Sequence, residues 1–405
     1  MNSNFKTAML EATRLTRIGK LADATAAIRR ALSGRTDPGA AAAENNHAPA
    51  DGAHNGPHIW DAAPVRPGSN EFAVPGGPDT QVGVAAAEAD AAHHTAEVRP
   101  AFREADVAPE PFDGVDDFAD GVYKHALQTL HYKLYSPPNH AQHGLALVVM
   151  LHGCTQDPDD FAAGTRMNER AREQGFFVLY PAQPAGANPS KCWNWFKPVH
   201  QHRDSGEPAM IAGATLEIIR EHGIDASRVY IAGLSAGGAM ATIVANAYPD
   251  IFAAAGVHSG LVRGAASNVI DALSVMKRPR SLFSPSAGEH PPVPTIIIHG
   301  DEDQTVHPQN SEQVLAAALH TSNATATTAG PQIEQGESRG GRKFTRSVYR
   351  DTAGNVQAEH WLIHGGGHAW AGGDTAGSHT DASGPDASRA ILDFFFAQPG
   401  SQLRN

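Results

Sequence analysis

Apolar positions are unevenly spread along this chain. From about residue 145 onward, short continuous apolar runs alternate with stretches of helical spacing. The runs include "LALVVMLHG" (145–153), "FFVLYP" (176–181), "RVYIAG" (228–233), "PTIIIHG" (294–300) and "EHWLIHG" (359–365). "AMIAGATLEIIREHG" (209–223) and "DASRAILDFFFAQ" (386–398) read as helices, the second with Asp386 or Ser388 near its start. Val, Ile and Leu without polar alternation mark strands buried on both faces. Such strands alternating with helices predict an α/β domain over 112–400, built on a mostly parallel, doubly wound sheet. No internal repeat is present.

Two earlier zones read differently. Residues 1–34 place Phe5, Met9, Leu10, Leu15 and Ile18 at helical spacing, break at Gly19, and resume with Leu21, Ala24, Ile28, Ala31 and Leu32. Gly34 then reads as a C-cap. The predicted helical hairpin is basic, since Lys6, Arg14, Arg17, Lys20, Arg29 and Arg30 outnumber Glu11 and Asp23. So small a unit needs a partner surface, either the chain's own catalytic domain or something outside it. Residues 35–111 are rich in Ala, Gly, Pro, Asp and His. Between 35 and 100, three basic residues stand against nine acidic ones. Such a segment buries too little apolar area to offset the entropy of ordering it, and reads as a disordered linker. His47, His54, His58, His93 and His94 fall there at irregular spacing without thiols or a carboxylate cluster, which argues against a metal site.

The net charge of −12 argues against nucleic acid and anionic membranes as partners. No apolar run reaches membrane-spanning length. The opening residues lack the apolar core of a secretory signal, so the expected location is cytoplasmic. Two cysteines, Cys154 and Cys192, form neither a disulfide scaffold nor a cysteine-rich zinc site.

The candidate chemistry centres on "VYIAGLSAGGAMA" (229–241). Gly233-Leu234-Ser235-Ala236-Gly237 fits G-x-S-x-G, a nucleophile elbow between a buried strand and a helix. The turn is so tight that side chains two before and two after the serine would clash, and glycine at 233 and 237 removes them. The helix N-terminus behind Ser235 offers N–H groups to a developing oxyanion. A serine hydroxyl needs a base, and the base needs an orienting acid. On this fold they follow in the order Ser, acid, His, each after a later strand. "TIIIHGDEDQTV" supplies Asp303 as the acid; Asp301 lies nearer the strand end, where it would hold the turn. "WLIHGGGHAWAGG" supplies His368 out on the glycine-rich loop, while His364 sits beside its strand. His152, His299 and His307 read as structural or loop-lining, and Trp370 as a brace for the loop. The second oxyanion donor is expected after "VVMLHGCTQ", from the Cys154 backbone N–H, with Ala236 completing the hole.

Together "LHGCTQ", "CWNWF", "GLSAGGAMA", "HGDEDQTV" and "GHAWAGG" resemble the polyhydroxybutyrate (PHB) depolymerase family of esterases, which includes feruloyl and acetylxylan esterase relatives. The resemblance covers most of 130–398, and the combination of motifs is specific where no single one is. It implies an α/β-hydrolase fold with Ser235, Asp303 and His368 as triad. It also implies that Cys154 and Cys192 lie near each other and could be bridged. "CWNWF" would stand beside the site, with Trp193, Trp195 and Phe196 offering flat apolar area to an acyl chain.

The expected function is hydrolysis of ester bonds in poly(3-hydroxybutyrate) or its oligomers, without cofactor or metal. The chain is expected to differ from secreted depolymerases in having neither an export signal nor a C-terminal polymer-binding module. It therefore resembles the family's intracellular members, and the hairpin is expected to dock on a storage granule or its coat protein. The rival enzyme reading is a carboxylesterase for small feruloyl or acetyl-sugar esters. A non-catalytic binding protein on this fold is disfavoured by the complete triad.

Overall fold

Buried strands need helices on both faces, and the structure supplies them. In this computed structural model the described residues are 114–279, 292–320 and 330–399. The expected hairpin (1–34) and linker (35–111) lie outside the described residues.

The described chain opens with an antiparallel pair, β1 (Asp117–His125) and β2 (Gln128–Ser136). β3 (Leu147–Leu151) leads to α1 (Pro158–Thr165), α2 (Met167–Gln174) and β4 (Phe177–Ala182). Next come α3 (Gly206–His222), β5 (Val229–Leu234), α4 (Ala236–Ala247) and β6 (Ala254–His258). They are followed by α5 (Val269–Lys277), β7 (Thr295–Gly300) and α6 (Gln309–Leu319). A meander of β8 (Gln332–Glu337), β9 (Lys343–Arg350) and β10 (Val356–Ile363) precedes a small parallel pair, β11 (Trp370–Ala371) with β12 (Thr380–Asp381). α7 (Ala387–Phe396) closes the domain.

The main sheet has ten strands in the order β1-β2-β4-β3-β5-β6-β7-β10-β9-β8. The run from β4 to β10 is parallel, and antiparallel strands extend it at both ends. This is the α/β-hydrolase architecture expected from the chain. Alternate residues of one strand feed opposite cores. Leu147, Val149 and Leu151 face α3, α4, α5 and α6; Val148 and Met150 face α1, α2 and α7. That double burial explains runs with no polar alternation.

β6 was not among the expected strands. Its sequence, Ala-Ala-Gly-Val-His, holds one β-branched residue, yet it pairs with β5 and β7 and is buried throughout. Small residues are favoured there because helix side chains press on the strand: a Cβ at Gly256 would stand 3.3 Å from the Phe395 ring. The antiparallel pairs at the edges are half-exposed, so their apolar pattern is too diluted to stand out in the sequence.

Phe395 is fully buried and stacks on Tyr230 with centroids 4.9 Å apart. Phe395→Ala is expected to cost about 3–5 kcal/mol of stability, measured by urea unfolding; a loss under about 1 kcal/mol would mean that α7 does not seal this face.

Candidate active site

All parallel strands deliver their carboxyl ends to one edge of the sheet, where ligands bind in open α/β sheets. Ser235 sits at the β5–α4 junction with φ 56° and ψ −116°, a strained backbone for a residue with a side chain. A Cβ at Gly233 would collide with the Gly237 backbone and come within 2.7 Å of the Leu151 carbonyl oxygen. A Cβ at Gly237 would strike the carbonyls of Leu151 and His152. The glycines thus serve two approaches, within the turn and against the end of β3. Ser235 N–H donates to the His258 carbonyl at 2.8 Å, tying the turn to β6. The Ser235 residue is 8% exposed.

The loop after β7 carries Asp303 and the loop after β10 carries His368, and the two meet. His368 Nδ1 lies 2.6 Å from Asp303 Oδ2. Asp303 Oδ1 accepts the N–H groups of Thr305 and Val306, each at 2.8 Å. The His299 Nε2–H donates to the Val306 carbonyl at 2.8 Å and stands 3.4 Å from Asp303 Oδ2. Burial alone would raise the Asp303 pKa. Hydrogen bonds from His299 and His368, the His368 charge and the Val306 N–H outweigh it and hold the carboxyl well below the usual carboxylate range.

Asp301 and His364 form a second pair nearby, His364 Nδ1 to Asp301 Oδ2 at 2.9 Å. Asp301 Oδ1 also accepts the Gly365 N–H at 2.7 Å. This pair pins the start of the glycine-rich loop.

The β3 loop forms the opposite wall. Gly153 N–H donates to Gln156 Oε1 at 2.9 Å, and Thr155 N–H donates to the Ser190 carbonyl at 2.7 Å. Both amides flanking Cys154 are therefore engaged in shaping its loop. A Cβ on Gly153 would stand 3.7 Å from Ser235 Cβ, which places this loop against the elbow. Ala236 is the first residue of α4, so its amide belongs to the positive end of that helix. Cys154 is joined to Cys192 by a disulfide, coupling the β3 loop to the "CWNWF" segment.

That segment is fixed from below by Glu207 in the first turn of α3. Its carboxylate accepts from Asn194 N–H (2.8 Å), Asn194 Nδ2 (2.6 Å) and Gln183 Nε2 (2.7 Å). The aromatic residues are placed differently from the expectation. Trp193 is 0% exposed and Trp195 4% exposed, both within the core, so neither offers a flat face to a ligand. Of the three, only Phe196 keeps appreciable surface, and Trp195 braces it edge-on at 5.7 Å.

Sequence reasoning passed over Gln156, Asp160, Glu207 and His258. Gln156 also donates to Asp160 Oδ2 at 2.8 Å, and Asp160 accepts the Ser378 N–H at 2.8 Å, so the β3 loop is tied to the 374–384 segment. Only Glu207 left a readable signal, a carboxylate in the first turn of a helix. Gln156, Asp160 and His258 each also bond a partner more than 100 residues away, Ser378 for the first two and Ala371 for the third, which local sequence does not reveal. Among the described residues, no group of three or more His, Cys, Asp or Glu is disposed to hold a metal ion. Likewise, no helix among the described residues is long and apolar enough to cross a membrane.

Comparison with known proteins bears on this geometry. A family model described as "Esterase PHB depolymerase" matches residues 130–341, just over half of the chain. Poly(3-hydroxyalkanoate) depolymerase C of Paucimonas lemoignei is 34% identical over 233 residues, covering 55% of this chain and 54% of its own length. Feruloyl esterase B of Thermothelomyces thermophilus is 28% identical over 240 residues, covering 55% of this chain and 78% of its own length. Acetylxylan esterase A of Talaromyces purpureogenus is 30% identical over 208 residues, covering 47% of this chain and 53% of its own length. The chain thus spans about half the length of the depolymerase and the acetylxylan esterase. Among solved structures, an acetyl xylan esterase from Aspergillus awamori superimposes with a TM-score of 0.54 at 19% identity, covering 70% of this chain and all of that one, a likeness of fold.

Two measurements probe this arrangement. Replacing Cys154 and Cys192 together by serine removes a cross-link across 38 positions. The expected loss is up to about 4 kcal/mol in urea unfolding; an unmoved midpoint would show that the bridge constrains nothing. The second concerns Asp303, whose depressed pKa gives stability that is fully present above the unfolded-state value near 4 and declines as pH falls below it. The stability gap between wild type and Asp303→Asn should therefore narrow from about pH 5 down to about pH 2. A constant gap would mean that the carboxylate is not specifically stabilised.

Proposed function

The chain belongs to the esterase PHB depolymerase family, and on that premise we propose that it is a serine esterase with Ser235, His368 and Asp303 as its triad. The observation that carries this reading is the pairing of buried Asp303 with part-buried His368, on the same sheet edge as a strained serine at a helix N-terminus. Ser235 Oγ attacks the ester carbonyl carbon while His368 Nε2 takes its proton. Asp303 accepts from His368 Nδ1, which fixes the ring's tautomer and stabilises the imidazolium that forms. The carbonyl oxygen becomes an oxyanion held by the N–H groups of Cys154 and Ala236. Collapse breaks the bond to the leaving alcohol, which takes the proton back from His368. Water, activated by His368, then attacks the acyl-enzyme and releases the acid and free Ser235.

The substrate we propose is poly(3-hydroxybutyrate) or its oligomers. The similarity to a poly(3-hydroxyalkanoate) depolymerase supports it, as does a chemistry that needs only an accessible ester. Small aromatic or acetyl esters are the second reading, favoured by the match over 78% of the length of a feruloyl esterase. Release of acid from amorphous polyester particles and from a feruloyl ester separates the two.

Ser235→Ala is expected to lower turnover of both kinds of ester, and of a short activated ester, by a factor on the order of 10³ or more while the fold is retained. Hydrolysis by the variant at the wild-type rate would remove the triad from the mechanism. Serine-dependent release from the feruloyl ester alone would keep the mechanism and replace the substrate.

A further inference from the structure

The triad reading leaves buried His258 without a role. His258 ends β6 between β5 and β7 and is 1% exposed. Its carbonyl accepts the Ser235 N–H at 2.8 Å. Its ring Nε2 accepts the Ala371 N–H at 3.1 Å, three residues beyond His368. The ring also stacks on Trp370, with centroids 5.1 Å apart. We propose that His258 is a positioning residue that sets the spacing of Ser235 and His368, its carbonyl holding the nucleophile's amide and its imidazole holding the base's loop. The proposal rests on the triad reading above.

The hydrogen bonding allows one tautomer. An amide N–H only donates, so Nε2 carries the lone pair and Nδ1 carries the proton, which faces Ser259 Oγ at 3.2 Å. Ser259 is itself held in a left-handed backbone, φ 50°, with its N–H donating to the Ile298 carbonyl of β7 at 2.9 Å. Burial, then the neighbouring His299 and His368, push the His258 pKa down to about 3. The ring therefore stays neutral at ordinary assay pH, and Nε2 stays an acceptor. On the far side Trp370 Nε1 donates to Ser388 Oγ at 3.1 Å, and Phe161 meets the Trp370 ring edge-on at 5.4 Å. The stacked indole cannot slide without breaking these contacts. An apolar side chain could fill the same volume. What histidine adds is a directional acceptor in a site where an unpaired amide would be costly.

The test compares His258→Phe, His258→Gln and Ser235→Ala in the full chain on a short activated ester. Phenylalanine keeps the stack and loses the acceptor. Glutamine can present Oε1 where Nε2 was. His258→Phe should lower kcat by about 10- to 100-fold with KM changed by less than about threefold, as expected for a misplaced base. His258→Gln should recover most of kcat. Wild-type kcat in His258→Phe would overturn the proposal. So would an equal loss in both variants that tracks their melting temperatures, since that marks packing alone. If His258→Phe does not fold, nitrogen-15 NMR of the wild type decides: the Nδ1–H tautomer is expected, and an Nε2–H tautomer overturns the proposal. Full activity in Ser235→Ala would instead sink the triad reading, whatever His258 does.

Discussion

The candidate site depends on a loop that runs backwards across the sheet edge. Ser235 leaves β5, but the strand that leads to His368 is β10, with β6 and β7 in between. Three strand spacings of about 4.8 Å separate the two origins, about 14 Å in all. The chain after β10 has to cross that gap and stop at a defined place. It is held at each strand it passes. Asp301 at the end of β7 takes His364 and Gly365, Asp303 takes His368, and His258 at the end of β6 takes Ala371. Two glycines of "HGGGH" suit this path: Gly365 has φ 70°, and a Cβ on Gly366 would press on Ile363 and Gly300. A Cβ at Gly300 would collide with the Gly366 carbonyl, so loop and strand end touch backbone to backbone.

Burial then decides charge states. Asp303 has a side chain with no exposed surface, and an unpaired carboxylate there would be expensive. Two backbone N–H groups and two histidines surround it, so the ionised form is the stable one. Two buried histidines, one on each side of the site, are pushed toward the neutral form. His258 and His152 both have lowered pKa values, with burial as the first cause, and each accepts a backbone N–H through Nε2. Asp303 is thus charged and His258 and His152 are neutral although all three are buried, because their hydrogen-bond partners differ.

The facing wall is built on a covalent link. The Cys154–Cys192 bond fastens the short β3 loop to a segment that Glu207 fixes to α3. Gln156 fills the loop from inside, its carbonyl accepting Gly153 N–H and its amide reaching Asp160 and the Ser378 carbonyl. Thr155 and His379 both hold left-handed backbones and meet at 3.3 Å, where the β3 loop touches the segment after His368. Strain is concentrated around the serine and these rim loops, where the surrounding contacts hold it in place.

The sequence by itself determined the doubly wound core, because short Val, Ile and Leu runs alternating with helical stretches fit strands covered on both faces. It determined the elbow as well, because only glycine fits at 233 and 237. It also ordered the preference of Asp303 over Asp301 and of His368 over His364, from the distance of each to its strand end. Strand β6 escaped notice because Ala and Gly carry no pattern of their own; their smallness is dictated by helix side chains distant in sequence. The inward burial of Trp193 and Trp195 was decided only by the tertiary structure, since an aromatic cluster reads the same whether it lines a groove or fills a core. The parts assigned to Gln156, Glu207 and His258 were decided there too. Gln156 reaches Ser378, Glu207 reaches Gln183 and His258 reaches Ala371, each on another segment, and local sequence holds no record of which segments the fold brings together.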